Sequence, residues 1–307
     1  MIDLHTHSNF SDGSDTPAQL AARASDLGLH AIALTDHDTT ASHDEMAAAC
    51  DARGIELVPG VEISLLDTVQ PRRTATGETV ARGVHVLAYF LPLEPDHRVQ
   101  QFLARLRVDR AERNARLAAR LVEFGFERLT LEGVTARAAN PEGVGRPHFA
   151  AAMFDLHPEL VGERTPESWS RLFVEWLGAA GRAYVPKTTL SIEDFVDAAR
   201  GSRTVLSIAH PLPNYLADYT PASIEAEMPA ILASLRERGV AGAEAYYGGT
   251  SAATRSLMLK LTRDAGMIAS GGSDYHGLFK EDVSLGRGRS GDLRVPDEVL
   301  DELKAVR

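Results

Sequence analysis

His5 and His7 stand two residues apart in Ile2-Asp3-Leu4-His5-Thr6-His7, and the closing third of the chain carries Gly271-Gly272-Ser273-Asp274-Tyr275-His276. Side chains at i and i+2 of a strand share a face, so His5 and His7 can approach one ion together while Thr6 turns away. Three further apolar runs end at once on a ligand-type residue. They are Ala31-Ile32-Ala33-Leu34 before Thr35-Asp36-His37, Leu57-Val58-Pro59-Gly60-Val61 before Glu62, and Val205-Leu206-Ser207-Ile208-Ala209 before His210. Such runs read as buried strands of a parallel sheet, which binds ligands beyond the carboxyl ends of its strands. The five strand ends are therefore expected to bring imidazoles and carboxylates to one rim, and Asp12, in the turn Ser11-Asp12-Gly13, can lean over it. A single histidine of this kind is most often a surface or core residue, but recurrence at five strand ends favours a metal site. The lone Cys50 excludes an internal disulfide and a cysteine-based zinc site, so ligation must rest on nitrogen and oxygen.

The motifs His5-Thr6-His7 with Ser11-Asp12-Gly13, Thr35-Asp36-His37-Asp38, Gly60-Val61-Glu62-Ile63-Ser64, Ala209-His210-Pro211 and Gly272-Ser273-Asp274-Tyr275-His276 resemble, in that order, those of the polymerase and histidinol phosphatase (PHP) family of amidohydrolase-like metal enzymes. The likeness covers about 1–90 and 200–280. Gly145-Arg146-Pro147-His148-Phe149-Ala150 further resembles the stand-alone phosphoesterase branch, which includes nucleoside 3′,5′-bisphosphate phosphatases and a 5′-to-3′ exoribonuclease.

The resemblance implies an α/β fold, a distorted seven-stranded parallel (β/α)7 barrel, and two or three divalent metal ions. Mn suits the mixed, oxygen-rich donor set, with Zn or Fe as alternatives. It implies that His5, His7, Glu62 and Asp274 hold one ion and Asp12, His37 and His276 another, with Glu62 and His210 available to a third. Asp12, His37 and His210 are assigned to catalysis as well. Two ions about 3.5–4 Å apart make water a nucleophile at neutral pH and clamp the attacking and leaving oxygens of a phosphoryl displacement. The implied reaction is release of the 3′-phosphate from a nucleoside 3′,5′-bisphosphate, such as pAp to AMP, with short 5′-phosphorylated oligonucleotides as further substrates. The alternatives are a histidinol-phosphate-type phosphatase and a non-catalytic PHP binding module.

Other residues need separate readings. His85 begins the strand Val84-His85-Val86-Leu87-Ala88-Tyr89-Phe90, opposite the end where catalytic groups gather, so a structural role is expected. The family's usual histidine at the end of this fourth strand is replaced by Phe90 or Leu91, which puts a third ion in doubt. Pro147 suits a helix start, whose free N–H groups bind anions; Arg146 can add a bidentate phosphate contact and His148 a ligand or phosphate donor. Arg105, Arg107, Arg110, Arg113, Arg116 and Arg120 crowd one segment. Arg113, Arg116 and Arg120 share a helical face, which reads either as a phosphate anchor centred on Arg113 or as a solvated face paired with Glu112 and Glu123. Lys187 can return to the mouth to bind a second phosphate or remain solvated. Asp38 can orient the neighbouring His37.

A net charge of −11 argues against an extended nucleic-acid surface, since phosphate attraction comes from clustered Lys and Arg. A small phosphorylated nucleotide or a short 5′-phosphorylated oligonucleotide is the expected partner. No apolar stretch approaches the ~20 residues that cross a bilayer, and the first strand begins at Ile2 without room for a signal peptide, so a cytoplasmic protein is expected. Strands are expected at 2–7, 31–35, 55–63, 84–90, 204–209, 242–246 and 267–271. Between the fourth and fifth, Leu103, Leu106, Leu117, Leu121 and Phe124 recur at helical spacing. The expected division is a metal-dependent barrel of 1–99 and 181–307 with a helical lid inserted at 100–180.

Overall fold

The computed structural model describes residues 1–73, 77–186 and 190–307. Seven strands form one sheet in sequence order: β1 (Ile2–Thr6), β2 (Ala31–Leu34), β3 (Glu56–Arg73), β4 (Thr79–Tyr89), β5 (Val205–Ile208), β6 (Gly242–Tyr247) and β7 (Ile268–Gly272). The sheet curls until its edges meet. Asp274 N–H donates to the His5 carbonyl at 2.9 Å and His7 N–H to the Tyr275 carbonyl at 3.0 Å. Gly272 permits this approach, because a Cβ there would stand 2.4 Å from the His5 backbone nitrogen. Asp3, fully buried in β1, accepts from Ser273 N–H at 2.9 Å, Ser273 Oγ–H at 2.6 Å and Gly286 N–H at 2.7 Å, fastening the first strand to the segment after the last.

The barrel departs from the all-parallel expectation at one strand. β1–β2, β2–β3, β5–β6 and β6–β7 pair parallel, whereas β4 runs antiparallel to both β3 and β5. β3 continues well past residue 63, to Arg73, and only a few residues lead into Thr79. A parallel crossover needs a dozen or more residues, so a connection this short can join only an antiparallel pair.

The helices are α1 (Pro17–Asp26), α2 (His43–Asp51), α3 (Arg98–Glu123), α4 (Leu131–Thr135), α5 (Arg146–Leu156), α6 (Pro158–Val161), α7 (Pro166–Leu172), α8 (Ile192–Ala199), α9 (Pro211–Tyr215), α10 (Pro221–Glu237), α11 (Ala252–Asp264) and α12 (Glu298–Ala305). A π-helical turn, Phe173–Leu177, continues α7. Local chemistry starts several of them: Thr16 and Gln19 form a reciprocal cap before Pro17, and Ser191 with Asp194 does the same for α8. α3 joins two apolar interiors. Val99, Phe102, Leu103 and Leu106 pack with Val61, Ile63, Val86 and Phe195 against the barrel. Leu117, Ala118 and Leu121 pack with Phe126, Phe149, Met153 and Leu177 in a cluster of the helical segment. Arg110 and Arg113 lie between these two stretches of α3, where the helix passes the barrel mouth.

Candidate metal centre

The strand ends place their ligand-type side chains as the i, i+2 pattern requires. His5 Nε2 and His7 Nε2 lie 3.2 and 3.1 Å from Glu62 Oε2 and 3.6 and 3.7 Å from Asp274 Oδ1. Asp12 leans in from its turn, with Oδ1 3.3 Å from His276 Nε2 and Oδ2 3.7 Å from His37 Nε2. Glu62 Oε1 stands 2.9 Å from His210 Nε2. All eight residues singled out for metal binding thus converge at one end of the barrel. Asp38, His210 and Asp274 have positive φ there (56°, 28° and 58°), a strained backbone of the sort that gathers at functional sites.

His85 corrects its structural reading. Its Nδ1 lies 2.9 Å from Glu62 Oε1, and it lines the same pocket as His37 and His210. Because β4 runs against its neighbours, His85, just upstream of the Val86–Tyr89 stretch that pairs with β5, sits at the rim where the others carry their carboxyl ends; Ser64 is its register partner on β3. The rim position thought vacant at Phe90 or Leu91 is therefore filled by His85. Phe90 turns away at φ 56°, and Leu91 is buried.

Of the residues that support this cluster, Glu244, Lys280 and Tyr247 carried no sequence signal. Glu244 in β6 accepts from His5 Nδ1–H at 2.9 Å and from His210 N–H at 2.7 Å, fixing the His5 tautomer and presenting Nε2 to the cluster. Lys280 Nζ (2.6 Å) and Tyr247 Oη (3.1 Å) donate to Asp274 Oδ2, leaving Oδ1 to face the imidazoles. Asp36 accepts from Ser8 and Ser42 hydroxyls, both at 2.6 Å, and from Ser11 at 2.7 Å, so it secures the loop that carries Asp12. Asp38 pairs with Arg110 and accepts from Ser64 N–H at 2.7 Å; it holds an arginine, not an imidazole.

The donor set fits cations. His5 Nε2, His7 Nε2 and His37 Nδ1 are buried without hydrogen-bond partners, yet each faces a carboxylate oxygen. A bare imidazole lone pair against a carboxylate repels unless a proton or a metal stands between. Among the described residues, three sets of donor atoms lie close enough for single ions: His5, His7 and Asp274; His7, Asp12, His37 and His276; and His37, Glu62 and His85. Burial pushes Glu62 up, but His37, His85, His5 and the His210 hydrogen bond hold it well below the usual carboxylate range. Burial likewise raises Asp12, and His37 and His276 overcome it. His5 moves the other way: burial lowers it, and Glu244, Glu62 and Asp274 raise it well above an ordinary histidine.

The pocket above this cluster has a volume of about 340 Å³ and is lined on its polar side by Arg110, Arg113 and Arg146 as well as Lys280. Arg113 is buried and donates from Nη2 to the Asn114 amide oxygen at 3.4 Å. Burial, then Arg110 and Arg146, pushes its pKa down to about 9, which still leaves a cation at pH 7 that a bound anion would stabilise. Arg146 donates to the Leu177 carbonyl at 3.3 Å. Arg116 and Arg120 face solvent, so the expected arginine face is divided: Arg113 turns inward alone and Arg110, one turn earlier, joins it. His148 belongs to none of these donor sets. Its Nδ1 accepts from Gly145 N–H at 3.1 Å, which leaves Nε2 protonated, and its ring lies 5.8 Å from Phe279. Lys187 lies outside the described residues.

Residues 3–130 match the model of the PHP domain family. Over 276 residues, 90% of this chain and 87% of the relative, the protein is 31% identical to a 3′,5′-nucleoside bisphosphate phosphatase of Chromobacterium violaceum. It is 28% identical to a phosphoribosyl 1,2-cyclic phosphate 1,2-diphosphodiesterase of Eggerthella lenta, covering 90% of this chain and 94% of the relative. To a 5′-3′ exoribonuclease of Escherichia coli it is 29% identical, over 90% and 85%. A crystal structure from Bifidobacterium adolescentis described as a metal-dependent phosphoesterase superposes with a TM-score of 0.76 at 28% identity, covering 99% of this chain and 95% of the other. With the convergent imidazole–carboxylate cluster already in place, these likenesses identify the chain as a member of the PHP family of metal-dependent phosphoesterases.

Proposed function

We propose that this phosphoesterase removes the 3′-phosphate of nucleoside 3′,5′-bisphosphates. The observation that carries the reading is one small pocket holding both the imidazole–carboxylate cluster and three arginines, Arg110, Arg113 and Arg146. A substrate with two phosphates satisfies both halves. Its volume, about 340 Å³, lies at the low end for small-molecule sites and favours a mononucleotide over a longer chain. The C. violaceum relative, named for this activity, supports the same choice.

His5, His7, Glu62 and Asp274 would hold one ion, Asp12, His37 and His276 a second, and Glu62, His85 and His210 a third, with Asp12, His37 and His210 nearest the reacting phosphate. When bound, divalent ions such as Mn, Zn or Fe polarise the phosphoryl oxygens and lower the pKa of water. Arg113 and Arg146 anchor the non-reacting phosphate. His148 offers its Nε2 proton as a donor. Lys280 adds positive charge on the opposite flank of Asp274. The helices of 100–180 act as the lid that closes water out, and the protein works in the cytoplasm.

The deciding experiment is a phosphate-release screen of purified protein of measured metal content against nucleoside 3′,5′-bisphosphates, short 5′-phosphorylated RNAs, a 1,2-cyclic ribose phosphate and histidinol phosphate. The bisphosphates are expected to have the highest kcat/KM. A higher value for RNA or histidinol phosphate would displace this reading, and no release at any metal loading would make the protein a binding module.

A further inference from the structure

Rings form another part of the same pocket wall. Trp169 from α7, Phe173 from the π-turn and Phe279 from the turn Gly277–Phe279 all line it. Trp169 lies 5.7 Å from Phe173 and 6.1 Å from Phe279, centroid to centroid. The wall is braced: Phe154, buried in the helical cluster, stacks on Trp169 at 6.0 Å and 15°, and the Arg164 guanidinium stands 4.6 Å over the indole. Arg164 also donates to the Leu278 carbonyl at 3.1 Å, tying the segment that leads into α7 to the loop that follows β7.

Packing explains Trp169 and Phe173, which border the helical apolar cluster. Phe279 is different. Among the described residues it belongs to none of the apolar clusters, and it rests half-buried in the pocket that also holds the arginines, histidines and carboxylates. An aromatic face held rigidly beside an anion-binding site is suited to a planar, apolar part of the same ligand. We propose that Phe279 and Phe173, braced by Trp169 and Arg164, form the stacking platform for the substrate's base. The inference rests on the nucleotide reading above and adds how the base is held and how little of it is read. The pocket residues these three elements contribute offer π-faces, and Asn214, the amide that lines the pocket among the described residues, already gives an Nδ2–H to the Ala209 carbonyl at 2.8 Å. Every base has such a face, so the enzyme accepts all four and favours purines by their larger stacking area.

Base–aromatic stacking of about 1–3 kcal/mol corresponds to roughly 5- to 150-fold in a specificity constant. The test compares adenosine 3′,5′-bisphosphate with abasic ribose 3,5-bisphosphate. The parent enzyme is expected to favour the nucleoside by that factor, Phe279→Ala to shrink the ratio toward one, and Phe279→Tyr to recover most of it. The four nucleoside bisphosphates are expected to lie within about 10-fold of one another. A second readout is independent of turnover. Trp169 and Trp176 are the two tryptophans, so in a Trp176→Phe background AMP is expected to quench the remaining indole and ribose 5-phosphate to leave it bright. Equal specificity constants for nucleoside and abasic substrates in the parent would overturn the platform while sparing the bisphosphate reading, as would an intact ratio in Phe279→Ala. Quenching by AMP without hydrolysis of any nucleoside bisphosphate would do the reverse.

Discussion

Glu62 Oε1 stands 2.9 Å from both His85 Nδ1 and His210 Nε2, while Glu62 Oε2 faces His5 and His7 at 3.2 and 3.1 Å. One carboxylate thereby spans two groups of imidazoles. It can do so because it leaves β3 at the level of the rim, between β2 with His37 and the reversed β4 with His85.

If His85 and Glu62 hold an ion with His210, His85→Ala removes a ligand. The expected outcome is one fewer metal ion per chain by elemental analysis, a large fall in turnover, and an unchanged circular dichroism spectrum, since the position is at the barrel mouth. Full metal content with a lowered Tm would return His85 to a structural role.

How much of this was legible follows from particular residues. His5 and His7 were readable because a two-residue spacing has one meaning in a strand, and Glu62, His210 and Asp274 because short apolar runs marked their strand ends. His85 was misread because the rule about carboxyl ends holds for parallel strands, and strand direction is not written in an apolar run. A signal did exist: β-type residues continue past Ser64 and resume at Thr79, with Gly77 between them in the left-handed region at φ 86°. That pattern reads as a hairpin. Glu244 and Lys280 were illegible for another reason: their roles depend on which side chains of distant strands they meet, and Glu244 in Gly242-Ala243-Glu244-Ala245-Tyr246 resembles any strand carboxylate. The arginine face was half right, because helical periodicity gives the angle of Arg113 on α3 but not the line along which the barrel touches that helix.

Glu244→Gln tests the support behind His5. The amide keeps the shape and loses the charge that fixes His5 Nδ1–H. Loss of such a partner weakens metal binding by roughly 10- to 100-fold, measurable by chelator competition. An unchanged affinity would show that His5 needs no such orientation.

Arg146→Ala and Arg113→Ala test the anchor. A charge-assisted contact of about 1.5–3 kcal/mol corresponds to roughly 10- to 150-fold in kcat/KM. The loss is expected on nucleoside 3′,5′-bisphosphate and much less on nucleoside 3′-monophosphate, which lacks the anchored group and reacts poorly with the parent enzyme. Equal fractional losses on the two substrates would move the arginine to the scissile phosphate or the scaffold.

Asp67, which does not line the pocket, offers a stability test with a definite pH sign. It is fully buried, accepts from Arg238 Nη1 and Nη2 at 2.9 Å each, from Tyr215 Oη at 2.7 Å, and from Val69 and Gln70 N–H at 3.0 Å each. Burial raises its pKa, but the hydrogen bonds from Arg238, Tyr215 and Gln70 outweigh it and leave the group below its ordinary value. Removing Asp67 leaves Arg238 with Glu193 Oε1 at 3.0 Å as a remaining partner and deprives Tyr215 Oη of its acceptor, so Asp67→Ala should cost about 1–3 kcal/mol in urea denaturation at pH 7. A carboxylate with a depressed folded-state pKa stabilises fully above its unfolded pKa, about 3.9, and loses that contribution as pH falls through the folded value. With both proteins metal-free, the gap between parent and Asp67→Ala should therefore narrow as pH falls below about 4. A gap that stays constant from pH 7 to pH 3 would mean that Asp67 acts by packing and not by charge.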